Sequence, residues 1–336
     1  MPSTSPLPPP PENRSGWPYD PPEPAEPLAE YPRISIVTPS YNQGRFIERT
    51  IRSVLQQGYP NLEYFVMDGG SNDETVSILK KYDTCLTGWT SERDAGQADA
   101  INKGWARATG DILAWINSDD WYCPGAFHAV ARLFVANSAC QWVHGEVLNI
   151  RSGEVAKHYR PRPMTAASCL GRRDYSFHQP GMFWSAALVR KVGPLDPAMH
   201  CSFDHDLWSR MLLAGEQPTL LPQPVAFFQL HGESKSYGSR ARFTQEDRDV
   251  LARHIGALPL EERMLVRRWL RENEADVLLD TVYAQLVRRR RMDAASTLLG
   301  NLSLLPMVTP RKAVMGLAWR ALVTGRPPSW FRTHQE

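Results

Sequence analysis

Apolar residues first gather at Ile34-Ser35-Ile36-Val37, a short run that reads as a buried strand, and Pro39-Ser40-Tyr41-Asn42 closes it. Phe46, Ile47, Ile51, Val54 and Leu55 then recur at helical spacing until Gly58 and Pro60 stop the pattern. A second strand is predicted over 62–67, ending in Asp68-Gly69-Gly70, and a helix over 73–82. A short strand at 89–92, a helix at 97–108 and a strong apolar strand at 112–116 follow, the last running into Asn117-Ser118-Asp119-Asp120. The spacing next predicts a helix over 124–136, with Pro124 at its first position, and a strand near 141–148. Strand and helix thus alternate four times, which predicts an α/β fold: a mostly parallel sheet with helices on both faces. Ligands of such sheets bind beyond the carboxyl ends of the strands. The polar clusters Ser40 to Asn42, Asp68, Glu92 to Asp94 and Asp119-Asp120 all fall at those ends.

The rest of the chain is less regular. Residues 1–30 are rich in proline and poor in aliphatics, so they are expected to form a disordered tail. Residues 31–238 are expected to form the α/β domain and 239–336 a helical C-terminal region. That last region carries the basic run Arg288 to Arg291 and an amphipathic stretch at 311–323. Such a pattern suits either a helical appendage with solvated arginines or peripheral contact with an anionic membrane surface.

Composition narrows the function classes. With 336 residues, 42% hydrophobic and 22% charged, most of the chain can bury a core. A net charge of +2, from 38 basic and 36 acidic residues, argues against a dedicated nucleic-acid binder. Cys85, Cys123, Cys140, Cys169 and Cys201 are odd in number and scattered, which points to a reducing compartment rather than a disulfide framework or zinc site. Neither a secretory signal nor a spanning segment is visible, so the expected location is the cytoplasm, with the inner face of the plasma membrane as the alternative.

Adjacent carboxylates at a strand end repel each other unless a cation or a donor lies between them. Asp119 and Asp120 therefore suggest a divalent-ion site, or else a solvated turn with an aspartate as helix N-cap. The segments TPSYNQ (38–43), DGGSNDET (68–75), SERDAGQADAINKG (91–104) and WINSDDW (115–121) together resemble the inverting family-2 glycosyltransferases over residues 33–235. The resemblance implies a GT-A fold that binds a nucleotide-diphospho-sugar, a UDP- or GDP-sugar, with a divalent cation, Mn2+ or Mg2+. It places Pro39 and Tyr41 near the base, with Asp68 accepting the ring N–H of that base. It sets Asp94 and Asp99 along the nucleotide and sugar, Asp119 toward the ribose, and Asp120 on the metal. Asn117 stands where the family has an aspartate, and Asp99 and Asn102 also suit capping or packing roles in the helix at 97–108.

Transfer from a nucleotide-sugar needs a base to take the proton of the acceptor hydroxyl. Phe203-Asp204-His205-Asp206-Leu207-Trp208 resembles the family's base-bearing helix start, with Phe203 in place of the usual acidic residue. Asp204 is the expected base, His205 the alternative. Asp206 is two residues on, off that face, and is spaced to pair with Arg210. His231 resembles the late histidine that completes the metal site, or is a loop histidine. His178, Gln179 and Trp184 resemble the acceptor-side wall, with aromatic core packing as the other reading. The expected acceptor is a glycan or a lipid-linked glycan of surface polysaccharide biosynthesis. Two other classes stay open: a sugar-phosphate nucleotidyltransferase, whose Gly-rich, basic loop is poorly matched by Pro39 to Arg45, and a non-catalytic nucleotide- or glycan-binding protein.

Overall fold

The computed structural model describes residues 6–173, 176–232, 240–288, 290–301 and 303–304. The chain forms two compact units, one through Ala257 and one from Leu258. In the first, β1 (Ile34–Ser40), α1 (Gly44–Leu55), β2 (Leu62–Asp68), α2 (Thr75–Lys81), β3 (Gly88–Ser91), α3 (Gln97–Arg107) and β4 (Ile112–Trp115) alternate as the sequence predicts. They are followed by β5 (Trp121–Tyr122), α4 (Ala126–Ala136), β6 (Trp142–Arg151), β7 (Glu154–Tyr159), α5 (Ala166–Leu170), β8 (Met182–Ser185), α6 (Ala186–Val192), α7 (Phe203–Leu213), β9 (Thr219–Leu230) and α8 (Arg240–His254).

The sheet runs β3-β2-β1-β4-β8-β6-β9-β5, with β7 paired to β6. The first four strands are parallel. Beyond β4 the sheet is mixed: β8 runs antiparallel to both β4 and β6, β6 is parallel to β9, and β5 is antiparallel to β9. Register brings Ser40, Asp68 and Ser91 into one row, which levels three strand ends beneath a common rim.

Alternation along the strands assigns the two faces. Ile34, Ile36, Tyr64, Val66, Ile112 and Ala114 share one core with Ile47, Ile51 and Val54 of α1, Leu79 of α2, and Phe127 and Val130 of α4. On the opposite face Val37 meets Gly104 of α3, where an added Cβ would lie only 2.5 Å from Val37 Cγ1. Glycine is thus what lets α3 sit close on the sheet. Helix α4 begins later than expected: Pro124 precedes it, and Gly125, with φ of 72°, is its N-cap. A left-handed backbone there suits glycine and not an ordinary residue.

The proline-rich segment, expected to be disordered, lies against α1. Arg52 is 3% exposed. Its guanidinium donates to the carbonyls of Pro8 (2.9 Å), Pro18 (3.3 Å) and Tyr19 (3.2 Å) and to Tyr82 Oη (2.9 Å). Gln56 Nε2 donates to the same Pro18 carbonyl at 2.6 Å, and Trp17 Nε1 donates to the Tyr122 carbonyl at 2.7 Å. Proline carries no N–H but keeps its carbonyl, so a proline-rich strand can satisfy a buried arginine without building a ladder.

Helix α8 opens the helical region expected from 239; it belongs to the first unit and packs on α5 and α7. In the second unit α9 (Leu260–Val287) and α10 (Arg291–Gly300) pack together, burying Leu278, Val282, Ala294 and Leu298. Among the described residues no helix is long and apolar enough to cross a membrane. The amphipathic stretch at 311–323 lies outside the described residues.

The Arg52 contacts predict that Arg52→Met lowers unfolding free energy by about 2 kcal/mol, the scale of hydrogen bonds to a buried charged group. Urea melts measure this, and limited proteolysis should show faster cleavage within residues 8–30. Unchanged cleavage would show that the clamp does not hold the segment.

Candidate active site

The loops after β1 and β2 are tied to each other. Asn42, at φ 52°, donates its backbone N–H to Ser71 Oγ (2.7 Å) and accepts from the Asn72 N–H (3.0 Å) through Oδ1. Asp68 closes β2 with its carboxylate turned inward, accepting from the Ser71 N–H (2.9 Å) and from Ser91 Oγ (2.6 Å). It is 2% exposed, and the cleft wall at this point is formed by the adjacent Gly69 and Gly70. The neighbouring Gly69 leaves room for Asp94: a Cβ there would lie 2.9 Å from Asp94 Oδ2.

These loops and the start of α3 enclose a cleft of about 780 Å³ at the carboxyl ends of the strands. Pro39, Tyr41, Asp94 and Asp119 line it, as expected. Tyr41 is 61% exposed, presenting a ring face to the opening. Asp94 accepts from the Gly96 N–H at 2.8 Å, and burial raises its carboxyl pKa. Asp99 is not in the wall. It accepts from the Ala95 N–H (3.0 Å) and pairs with Lys103 (3.1 Å), and the backbone hydrogen bond from Ala95 holds its pKa low. Asn102 is likewise structural, exchanging two hydrogen bonds with the backbone of Leu195.

The two adjacent aspartates separate. Asp120, expected on the metal, is fully buried. Its Oδ1 accepts from the Gln229 N–H at 2.9 Å. Burial and the charge of Asp119 raise its carboxyl well above the usual range. Asp119 faces the cleft, and its Oδ2 lies 2.9 Å from His231 Nε2. The imidazole of His231 rests on the Phe46 ring, centroids 4.6 Å apart. Thr50 Oγ1 of α1 holds the same turn through the carbonyls of Ser118 (2.9 Å) and Asp120 (2.6 Å). One carboxylate oxygen and one imidazole nitrogen at this separation fit a Mn2+- or Mg2+-like ion that takes its remaining ligands from diphosphate and water. Among the described residues no cluster of three or more metal-ligating side chains forms a closed protein cage.

A second chamber of about 200 Å³ adjoins the cleft, and Gln97, Asn117, His200 and Phe228 line both. Gln97 Nε2 donates to Asn117 Oδ1 at 2.6 Å between them. Sequence reasoning did not single out Gln97, although it lies within the motif at 91–104, or His200, which stands in no recognisable pattern and reaches the site from the loop before α7. Asp204, on the first turn of α7, lines this chamber. Burial pushes its carboxyl up to about 6, although it accepts from the His205 N–H at 2.7 Å.

His205, the alternative base, is 1% exposed and engaged at both ring nitrogens, Nδ1 with Asp247 Oδ1 (3.0 Å) and Nε2 with the Cys169 carbonyl (2.9 Å). Burial opposes its charge, but these hydrogen bonds outweigh it and push the imidazole up to about 10. A protonated, fully engaged histidine cannot take a proton. Asp206 pairs with Arg210 (2.8 Å) as the spacing suggests, and also with His254 (2.8 Å) and Arg253 (3.2 Å) of α8.

On the acceptor side, His178 and Gln179 line the chamber. His178 Nε2 bonds Asn149 Oδ1 at 2.9 Å between the rings of Tyr159 and Phe228, and burial pushes its pKa down to about 4. Gln179 Nε2 donates to the Trp115 carbonyl at 2.8 Å. Trp184 is not part of the wall. It is fully buried and stacked on Trp115 with centroids 4.9 Å apart, so the core-packing reading replaces the acceptor one.

The architecture matches solved enzymes of low sequence identity. A mannosyltransferase of Pyrobaculum calidifontis, PcManGT, solved with GDP-Man and Mn2+, aligns over 88% of this chain and 86% of its own, at 19% identity and a TM-score of 0.58. Residues 1–349 of TarS from S. aureus, solved with UDP-GlcNAc, align over 71% of each chain at 18% identity and a TM-score of 0.56. The fold is that of the GT-A glycosyltransferases. The sequence relatives agree. An uncharacterised glycosyltransferase of Mycobacterium tuberculosis is 29% identical over 195 residues, 57% of this chain and 74% of that protein. TuaG of Bacillus subtilis, named for teichuronic acid biosynthesis, is 40% identical over 92 residues, 26% of this chain and 36% of that protein. Residues 35–190, a little under half of the chain, match the family model Glycosyl transferase family 2, and together with these relatives the match identifies the chain as a glycosyltransferase.

The paired His205 predicts the effect of removing its partner. Asp247→Ala leaves a buried imidazolium uncompensated and should cost about 3 kcal/mol of stability. Denaturant unfolding at neutral pH measures it, and a loss under ~0.5 kcal/mol, the scale of an ordinary surface substitution, would mean that the histidine is not held charged.

Proposed function

We propose that this chain is an inverting glycosyltransferase that moves a sugar from a UDP- or GDP-sugar to a glycan or lipid-linked acceptor in surface polysaccharide biosynthesis. The observation that carries the reading is the chamber holding Asp204 joined to a cleft edged by Asp119 and His231. The nucleotide lies in the cleft, its base against Tyr41, with Pro39 and Asp94 along it. The acceptor hydroxyl sits in the chamber. Its oxygen forms the new bond to C1 and its proton passes to Asp204, while the bond from C1 to the diphosphate oxygen breaks with its electron pair on that oxygen. Attack from the chamber, opposite the departing diphosphate, inverts the anomeric centre.

Asp119 and His231 are the residues that would hold a divalent ion, which when bound stabilises the charge on the diphosphate. The Mn2+ and GDP-Man in the Pyrobaculum calidifontis enzyme and the UDP-GlcNAc in TarS support the donor class. The TuaG relationship supports a polysaccharide acceptor.

A thermal-shift panel of UDP, GDP and their sugars, with and without Mn2+ or Mg2+, tests the donor: ligand at ~100 times its Kd should add about 2.7 kcal/mol of stability. Asp119→Asn should abolish the ion-dependent part of the shift, whereas Asp120→Asn, which mimics a protonated buried carboxyl, should keep it. The reverse result would return the metal to Asp120.

Release of nucleoside diphosphate tests the base. Asp204→Asn should lower turnover by about 10² to 10⁴. The base works ionised, and the Asp204 carboxyl sits at about 6. Thus kcat/KM should fall tenfold per pH unit below about 6 and level off above it. A profile flat down to pH 5 would remove Asp204 from the role.

A further inference from the structure

Gln179 is 7% exposed and lines the chamber that holds Asp204. Its amide is fixed in one orientation. Nε2 donates to the Trp115 carbonyl, and a flipped amide would set two acceptors against each other. The other end of the amide, Oε1, is buried and has no hydrogen-bond partner. A buried carbonyl oxygen left unpaired is costly, and such groups in native proteins have a reason. Here the reason is available. Oε1 can only accept, it belongs to a side chain of the chamber wall, and the same chamber holds the carboxyl that takes the nucleophile's proton.

The chamber also limits the size of what enters. At about 200 Å³ it is smaller than the ~300–1,000 Å³ of pockets that take drug-sized ligands, so it has room for one sugar ring and not for two. Phe177, Phe203, Trp208 and Phe228 wall it, giving apolar surface to the C–H face of a ring.

We infer that Gln179 determines acceptor specificity: the chamber takes the terminal pyranose ring of the acceptor, one hydroxyl of which donates to Gln179 Oε1 while a second, the nucleophile, faces Asp204. The inference rests on the transferase reading above and extends it to the acceptor. Gln179 reads the presence of a donor on the ring, and the rest of the glycan or lipid stays outside.

The experiment uses the full chain, the nucleotide-sugar that gives the largest release of diphosphate, and p-nitrophenyl hexopyranosides of gluco, galacto, manno and 2-acetamido-gluco configuration as acceptor probes. The best acceptor is then compared with its monodeoxy analogues. A site built to bind a hydroxyl rejects the analogue lacking it far more strongly than an apolar pocket does. One deletion other than that of the nucleophile should therefore lower kcat/KM at least 100-fold in the wild type. In Gln179→Met and Gln179→Leu the ratio of parent to that deoxy analogue should collapse to about 3 or less. If Gln179 merely held the Trp115 carbonyl, both substrates would slow equally and the ratio would stay.

An unchanged ratio in a folded variant overturns the inference. So does donor hydrolysis without transfer to any glycoside, or a wild type in which no such deletion costs more than tenfold. The wild-type deoxy series decides the matter if neither variant folds. Absence of both nucleotide binding and turnover in the wild type would instead sink the transferase reading, and this inference with it.

Discussion

The hydrogen bond from the Gln229 backbone to the buried carboxyl of Asp120 sets the geometry of the site. Two carboxylates on consecutive residues cannot both be solvated at a closed strand end, and burying one decides where the other points. With Asp120 held under β9, Asp119 is left facing the cleft. The same contact aligns the end of β9 with the turn after β4, so His231 arrives beside Asp119 although 112 positions separate them. Burial raises the carboxyl of Asp120 toward its neutral form, which relieves repulsion from its neighbour. The pairing of Asp119 with His231 thus depends on a residue that faces away from the cleft.

A similar division of labour appears on α7. Asp204 and His205 are adjacent and both largely withdrawn from water, yet they hold protons differently. His205 turns to Asp247 of α8 and the Cys169 carbonyl, and it stays charged. Asp204 lines a chamber walled largely by aromatic rings, and burial there raises its carboxyl to about 6. A carboxylate of that strength is a better base than an exposed aspartate and is still mostly ionised at neutral pH. The charges of His205 and Arg172 limit the rise, while Asp247 of α8, the partner of His205, adds to it.

Periodicity revealed the parallel half of the fold because apolar runs and turn residues are local signals. Strands β2 to β4 and helices α1 to α3 were legible within a residue or two for that reason, whereas β1 runs three residues further than its apolar run, through Pro39-Ser40. The placement of polar clusters at strand ends located the cleft, and Pro39, Tyr41, Asp94 and Asp119 line it. What stayed hidden was decided at long range. Nothing in Asp119-Asp120 says which carboxyl faces out, since a strand more than a hundred residues later makes the choice. Trp184 follows Phe183 in a strand covered on both faces, and only the stacked Trp115 identifies it as core. The proline-rich segment is poor in aliphatics and so promises no core of its own, although Leu7 and Leu28 pack against the α/β core. Its carbonyls find Arg52, an arginine that helical patterning would leave in solvent.

Asn117, which departs from the family's usual aspartate, makes sense in this frame. A carboxylate there would add a negative charge beside Asp119 and could not donate to the buried Asp120. The amide accepts from Gln97 at 2.6 Å and turns its Nδ2 toward Asp120 Oδ2 at 3.4 Å, a weak contact of favourable sign. It therefore links the wall between cleft and chamber to the pinned aspartate without charge. Asn117 thus leaves Asp119 and His231 paired at the cleft edge, and the neutral Gln97–Asn117 bridge separates that edge from the chamber that Asp204 lines.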